Sequence, residues 1–315
     1  MFKQRKVGIV GTGHVGSHCA LSLMLQGVCD ELVLVDIDEA KSQSQAFDCM
    51  DTASFLPHRV KVKKGTYQDL GKVDIVVISV GTIDNVSKNR LSELEGSLKI
   101  INSFVPEIMA SGFKGYFVVI TNPVDIVTYY VQKLSGLPHN HVIGTGTGLD
   151  SARLCRVLSN ELNIDARSIQ AYMLGEHGDS QMAVFSQVSI NGFSLESFLK
   201  NTGKKLDYNK VETTVTKAGW DIYSGKKSTE FGIACVCTDI IRAVYSDEKK
   251  VMACSGYLEG HYGENGLYIG VPAIIGKNGV EKVLELELNE KEQDKFSETL
   301  EIIKKHIKIG EKAFK

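Results

Sequence analysis

The sequence predicts an α/β fold, in which a doubly wound parallel sheet is followed by a mixed α/β domain. In the first half of the 315-residue chain, short β-branched runs alternate with helical segments, an order typical of parallel strands joined by crossover helices. The second half changes character, and its strand-like pieces predict antiparallel pairing. We therefore expect one domain over residues 1–143 and a second over residues 144–315.

The first half contains short apolar runs that predict strands. These runs are Val7–Val10, Leu32–Val35, Val60–Val62, Ile75–Ser79 and Tyr116–Thr121. The segments between them predict helices near Val15–Gln26, Glu39–Phe55, Leu91–Ala110 and Ile126–Leu134. Doubly wound sheets bind ligands at the carboxyl ends of their strands. The loops after Val10, Ser79 and Thr121 are therefore candidate binding loops.

The second half mixes helices with strands. Helices are predicted at Leu149–Glu161, Tyr208–Tyr223 and Gly232–Tyr245. Strands are predicted at Ile169–Leu174, Met182–Ile190, Val251–Tyr257, Leu267–Ile275 and Val283–Leu288. A last helix is predicted from Phe296, Leu300, Ile303 and Ile307, whose spacings of four, three and four residues match the period of an amphipathic helix.

The composition argues against several classes of function. The formal net charge is −2, so no basic excess favours a nucleic acid or an anionic membrane as partner. No apolar run approaches the roughly 18 residues that span a bilayer. The seven cysteines are scattered without a CxxC pair, which argues against a disulfide framework and a structural metal site. We expect a cytoplasmic protein with no metal, nucleic-acid or membrane partner.

The most informative segment joins a strand, a glycine-rich turn and a helix. The string GTGHVG follows the first apolar run, and the second run ends on Asp36, twenty residues after Gly16. Gly11 allows the tight turn, Gly13 lets a pyrophosphate approach the backbone, and Gly16 lets the helix pack closely on the strand. A carboxylate at Asp36 can accept hydrogen bonds from the adenosine ribose and would repel a 2′-phosphate. A Rossmann domain that binds NAD rather than NADP is expected, with Gly11, Gly13, His14, Val15, Gly16, Asp36 and Gly81 as cofactor-binding residues.

Further features carry reactive side chains. His177 stands in the string Gly-Glu-His-Gly-Asp, where flanking glycines let a loop expose it. Asp150 and Arg153 lie three residues apart, on one face of a predicted helix. Arg90 closes a polar segment after the fourth predicted strand, and Asn122 follows the fifth. Each alone has an ordinary explanation, such as a solvated loop or a surface ion pair. Their occurrence together around a dinucleotide fold makes them candidate site residues.

With these motifs the chain resembles the L-lactate and malate dehydrogenases and the related L-2-hydroxyisocaproate dehydrogenases. The resemblance covers essentially the whole length and includes two further strings, VIGTGTGLDSAR from Val142 and YIGVPAIIG from Tyr268. It implies an NAD-dependent L-2-hydroxy acid dehydrogenase whose substrate is a small 2-oxo acid, with pyruvate and L-lactate as the leading pair. It also implies assembly as a homotetramer.

The resemblance implies catalytic roles for His177, Asp150 and Arg90 and a substrate-binding role for Arg153. His177 gives its proton to the ketone oxygen, and Asp150 orients the imidazole ring and favours its charged form. Arg153 binds the substrate carboxylate, which a guanidinium can contact with two prongs. Arg90 folds in with its loop and polarises the carbonyl.

Other positions are expected to line the substrate pocket. By resemblance, Asn122 touches the nicotinamide ribose and the polar network, Thr229 lines the pocket, and Ile233 lies behind the nicotinamide ring. The position that separates lactate from malate enzymes is Asp84, where the former usually carry glutamine and the latter arginine. A carboxylate at this position would repel the second carboxylate of oxaloacetate, so malate activity is disfavoured, while lactate is not secured.

Several alternatives stay open. An L-2-hydroxyisocaproate dehydrogenase, which acts on larger 2-oxo acids, is the nearest, although those enzymes have a longer loop before Arg90. Malate dehydrogenase and a non-catalytic NAD sensor are more distant. An NAD-dependent glycosidase would share the fold type but needs a metal-binding cysteine where this chain has Thr121. Members activated by fructose bisphosphate carry cationic side chains where this chain has Cys155 and Gln170, so we expect no such activation.

Overall fold

Parallel strands form the first part of the main sheet in the computed structural model, which describes residues 4–81 and 90–313. These strands are β1 (Lys6–Val10), β2 (Glu31–Val35), β3 (Lys61–Lys64), β4 (Ile75–Ile78), β5 (Tyr116–Val119) and β6 (Val142–Gly144). They lie in the order β3-β2-β1-β4-β5-β6 and pair in parallel throughout. The order reverses beside β1, so the loops after β1 and β4 open at the same edge of the sheet.

Crossover helices cover both faces of this parallel sheet. They are α1 (His14–Leu25), α2 (Glu39–Ala53), α3 (Arg90–Ala110) and α4 (Val124–Ser135). Successive strand residues point to opposite faces, so Val7 and Ile9 join one apolar cluster while Val10 joins the other. Burial on both faces explains why the strands are nearly continuous apolar runs.

The second half extends the same sheet and adds a smaller core. Its helices are α5 (Gly148–Leu162), α6 (Leu195–Thr202), α7 (Tyr208–Lys226), α8 (Phe231–Ser246) and α9 (Glu290–Ala313). Short strands β7 (Ile169–Gln170), β8 (Met173–Leu174), β9 (Met182–Ala183), β10 (Ser189–Ile190) and β11 (Phe193–Ser194) form two small sheets. Three long antiparallel strands, β12 (Lys250–Glu259), β13 (Asn265–Gly276) and β14 (Gly279–Val283), are described in the rest of this half.

The main sheet is continuous across the two halves. Ser255 of β12 pairs with Gly144 of β6, so within the described ranges the order is β14-β13-β12-β6-β5-β4-β1-β2-β3. A Cβ atom on Gly144 would lie 2.4 Å from the hydroxyl oxygens of both Ser255 and Thr128, so only glycine allows this approach. The division into residues 1–143 and 144–315 stays a prediction.

Some predicted strands are wrong in extent. The strand predicted at Val283–Leu288 is wrong because β14 ends at Val283, and Leu286 and Leu288 pack on the core outside any strand. The runs Ile169–Leu174 and Met182–Ile190 are each broken into two short strands. Apolar residues show which side chains are buried, but they do not show which backbone groups find partners. The last amphipathic helix is confirmed as α9, and none of the described helices is both long and apolar enough to cross a membrane.

Candidate active site

In the glycine-rich loop after β1, the surroundings of each glycine match the role that the sequence predicts for it. Gly11 has a φ of +91°, and a Cβ atom there would lie 2.3 Å from the carbonyl oxygen of Ser79. A Cβ atom on Gly16 would lie 1.9 Å from the carbonyl oxygen of Gly11. Gly13 faces open space, and the nearest atom to its Cβ position is the ammonium nitrogen of Lys41 at 3.8 Å. An anionic group can therefore approach Gly13 beside a cation.

The N-terminus of α1 is arranged to receive a diphosphate. The helix begins with His14 and Val15, and no side chain in the described structure caps its first turn. Its backbone N–H groups and the positive end of the helix dipole are thus directed at the loop. Asp36, at the end of β2, accepts hydrogen bonds from the backbone nitrogen and hydroxyl of Thr12 at 2.7 and 3.1 Å. These residues fit a dinucleotide, with the exposed Gly81 just past β4 at the same edge.

A single buried carboxylate holds two of the predicted site residues. Asp150 lies in the first turn of α5 and is fully buried. Its Oδ2 atom lies 2.5 Å from Nδ1 of His177, and its Oδ1 atom accepts a hydrogen bond of 2.8 Å from Nη1 of Arg153. The His177 side chain keeps 25% of its surface exposed, so the ring is anchored on one side and accessible on the other.

The electrostatics favour a charged imidazole. Burial alone would lower the pKa of His177, but the Asp150 carboxylate outweighs burial and raises that pKa above its ordinary value. Burial likewise works against the Asp150 anion, yet His177 and Arg153 outweigh it and hold the pKa of Asp150 below its usual range. These interactions favour a proton on the imidazole and an ionised carboxylate on Asp150.

A second buried acid, to which the sequence assigns no role, also contacts His177. Asp125 accepts a hydrogen bond of 2.9 Å from the backbone N–H of His177 and one of 2.6 Å from the hydroxyl of Ser255. It follows Asn122 by three residues, after the cis peptide bond between Asn122 and Pro123. One turn therefore presents Asn122 to the surface and Asp125 to the interior beneath the histidine loop.

The C-terminal helix contacts the same loop. Thr299 of α9 accepts a hydrogen bond of 2.9 Å from the backbone N–H of Glu176. Ser180 donates to the Glu176 carboxylate at 2.6 Å and lies 2.8 Å from the Thr299 hydroxyl. The long sequence separation between Glu176 and Thr299, 123 residues, explains why no local pattern reveals this contact.

The start of α8 and the middle of α7 pack against α5. A Cβ atom on Gly219 would lie 3.7 Å from both terminal nitrogens of the Arg153 guanidinium, and one on Gly232 would lie 2.6 Å from Leu149. Thr229 and Ile233 flank Gly232 and are half-buried. The structure therefore places the Thr229–Ile233 segment beside the helix that carries Asp150 and Arg153.

Two predicted site residues lie wholly or partly outside the described part of the chain. Asp84 lies outside the described residues. The backbone of Arg90 begins α3, while its side chain lies outside what the structure describes. Across residues 4–81 and 90–313, no group of three or more His, Cys, Asp or Glu side chains is arranged to hold a metal ion.

Comparison with known proteins shows the family. The model of the lactate/malate dehydrogenase NAD binding domain matches residues 5–144, and that of the alpha/beta C-terminal domain matches residues 147–314. An L-lactate dehydrogenase of Fusobacterium nucleatum subsp. nucleatum is 55% identical over 313 residues, which cover 98% of each chain.

Solved structures agree on the fold. The minor L-lactate dehydrogenase from Enterococcus mundtii in its ligands-bound form has a TM-score of 0.94 at 36% identity, over 97% of this chain and 98% of that one. The malate dehydrogenase of Cryptosporidium parvum has a TM-score of 0.93 at 30% identity, over 98% of this chain and 100% of that one. The fold is thus common to lactate and malate enzymes, and this chain belongs to the lactate/malate dehydrogenase family and carries its NAD-binding domain.

Proposed function

We propose that this chain is an L-lactate dehydrogenase, which reduces pyruvate to L-lactate with NADH and catalyses the reverse reaction with NAD. The observation that carries the proposal is the buried Asp150, whose two oxygen atoms hold the imidazole of His177 and the guanidinium of Arg153. Membership of a family of NAD-dependent 2-hydroxy acid dehydrogenases supports it.

A 2-oxo acid needs a cation for its carboxylate, an acid for its ketone oxygen and a hydride for its carbonyl carbon. NADH, when bound, supplies the hydride from nicotinamide C4. Arg153 gives one of its N–H groups to Asp150 and has four left, which suit two-pronged binding of a substrate carboxylate. That contact sets which carbon faces the cofactor site.

His177 moves the proton. In reduction, the imidazolium donates its Nε2 proton to the ketone oxygen as the carbonyl carbon takes the hydride, and the product is the 2-hydroxy acid. In oxidation, the neutral ring takes the hydroxyl proton back. Asp150 stays ionised in both directions and holds the Nδ1 side of the ring. We assign Arg90 to polarising the carbonyl, and Asn122, Thr229 and Ile233 to lining the pocket.

The aspartate that the sequence carries at position 84 favours a monocarboxylic substrate. If Asp84 approaches the substrate side chain when its loop closes, it repels a second carboxylate, which disfavours oxaloacetate. A larger 2-oxo acid, as an L-2-hydroxyisocaproate dehydrogenase would use, is the second candidate, because Gly219 leaves space beside Arg153.

We also propose that the chain works in the cytoplasm as a homotetramer. Apolar side chains are exposed on α2, where Phe47 is 56% and Met50 41% accessible, and on α7, where Trp220 is 53% accessible. A subunit contact would bury these side chains away from water. Light scattering of the purified chain tests the assembly, and a monomer at micromolar concentration would contradict it.

A panel of kcat/KM values with NADH tests the activity. We expect pyruvate to exceed both oxaloacetate and 4-methyl-2-oxopentanoate. His177→Ala is the control, and it should keep NADH binding while losing about 10²–10⁴-fold in kcat. Higher kcat/KM for the branched substrate would favour the second candidate. NADH binding without turnover of any substrate would indicate a sensor.

A further inference from the structure

Asp125 is a buried acid that contacts the backbone of the catalytic histidine, whereas Asp150 contacts its ring. Only 1% of its surface is exposed. Both of its oxygen atoms are engaged: Oδ2 accepts the backbone N–H of His177, and Oδ1 accepts the hydroxyl of Ser255. A buried carboxylate is costly unless it is hydrogen-bonded in this way, so its presence beneath the loop needs an explanation.

The position of Asp125 connects the histidine loop to rigid structure. Asp125 lies in the first turn of α4, where the helix dipole favours a negative charge. Ser255 belongs to β12 and pairs with Gly144 in the middle of the main sheet. The chain of contacts from the sheet through Ser255 and Asp125 to His177 fixes the backbone of the residue whose ring carries the proton.

We propose that Asp125 is a positioning residue for the acid–base step, which holds the backbone of His177 in place and supplies a second negative charge near its imidazole. The proposal rests on the proposed function, because it assigns the proton to His177. It adds a residue that works through His177 and does not itself touch the substrate.

The charged neighbours determine how the two groups titrate. His177 faces Asp150 and Arg153 from α5 and Asp125 from α4, and both carboxylates raise its pKa while Arg153 lowers it. Asp125 faces His177, Glu176, Ser255 and Cys254. Burial raises the pKa of Asp125 to about 6, although the hydrogen bonds from Ser255 and His177 oppose that rise. Above that pH the Asp125 charge is present and stabilises the imidazolium.

Three variants separate positioning from general stability. Asp125→Asn removes the charge while its amide can still accept from His177 and donate to Ser255. Ser255→Ala keeps the carboxylate but removes a hydrogen bond that lowers its pKa, so a smaller fraction of Asp125 is ionised at a given pH. Thr128→Val is the matched control, because Thr128 is a buried hydroxyl on the same helix that donates to the carbonyl of Val124 instead.

One measurement does not depend on turnover: the rate at which diethyl pyrocarbonate modifies His177. Mass spectrometry of the peptide that contains His177 gives this rate at each pH, and the modification midpoint is the pH at which the rate is half its maximum. The reagent attacks the neutral ring, so the midpoint reports the protonation of His177 without cofactor or substrate. The same variants are assayed for kcat/KM in both directions, with thermal unfolding as the check of folding.

We expect Asp125→Asn to lower the His177 pKa by about one unit, because a nearby opposite charge is lost. The modification midpoint and the pH at which kcat/KM for reduction declines should both fall by that amount. At alkaline pH this equals roughly a tenfold fall in kcat/KM for reduction. Ser255→Ala should give a smaller shift in the same direction, and Thr128→Val none.

An unchanged midpoint in folded Asp125→Asn would overturn the proposal. If that variant does not fold, Ser255→Ala decides, and a midpoint equal to that of Thr128→Val would overturn it. If the parental chain reduced no 2-oxo acid, the proposed function would be contradicted instead. The modification midpoints would still show whether Asp125 affects the protonation of His177.

Discussion

Nη1 of Arg153 donates to Oδ1 of Asp150 across 2.8 Å, while the other oxygen of the same carboxylate holds His177. A negative charge thus lies between the Arg153 guanidinium and an imidazole whose protonated form it stabilises. Because one buried anion fixes both side chains, they need little rearrangement to meet a substrate, and such preorganisation is a main source of catalytic power.

Asp150→Asn should lower the His177 pKa and move the pH limb of reduction to lower pH. The raised pKa keeps the imidazolium present below it, and activity is lost as pH rises through it. We expect kcat/KM near pH 7 to fall by about 10²-fold or more. Asp165→Asn is the control, because Asp165 forms an exposed ion pair with Arg167 away from the site. An unshifted limb in Asp150→Asn would contradict the assigned pairing.

Asp36→Ala should weaken the preference for NADH over NADPH. The variant loses the charge that repels a 2′-phosphate and also loses two hydrogen bonds from Thr12, so KM for NADH should rise. Asp38→Ala is the control, because Asp38 caps α2 and should affect stability by about 1 kcal/mol without changing the cofactor ratio. A parental enzyme that uses both cofactors equally would show that Asp36 does not select the cofactor.

Asp84 should control discrimination between pyruvate and oxaloacetate. Two carboxylates ~4 Å apart repel by ~4 kcal/mol at an effective dielectric of 20, which corresponds to about 10³-fold in rate. Asp84→Arg should raise kcat/KM for oxaloacetate, and Asp84→Gln should favour pyruvate. The isosteric Asp84→Asn separates charge from shape. If none of the three changes the substrate ratio, another part of the pocket selects the substrate.

Fructose bisphosphate should not activate this enzyme. Cys155 donates its thiol to the carbonyl of Ile169 at 3.5 Å, and burial raises its pKa, so it stays neutral. Gln170 beside it is exposed and uncharged. Titration of the sugar bisphosphate at saturating NADH and sub-saturating pyruvate checks this. A several-fold fall in KM would mean that phosphate binds through other side chains.

Local patterns predicted the parallel sheet well and the contacts beneath the site poorly. β1 and β2 end at Val10 and Val35 as expected, because each short and mostly apolar run ends there at a glycine-rich or polar loop. The partners of Asp125 lie 52 and 130 residues away in the chain, so no spacing rule connects them. Helix α6 was not predicted, because it spans only eight residues, of which Leu195 is the buried one.

The pairing of Gly144 with Ser255 has a consequence for chimaeras between family members. A donor half joined near this position must bring a glycine that clears the Ser255 and Thr128 hydroxyls. Either half expressed alone would expose an unpaired strand edge, β6 or β12, to aggregation. Crossovers placed before α4 or after β12 would keep Thr128, Gly144 and Ser255 from one parent, and those are the junctions at which recombined enzymes should remain soluble.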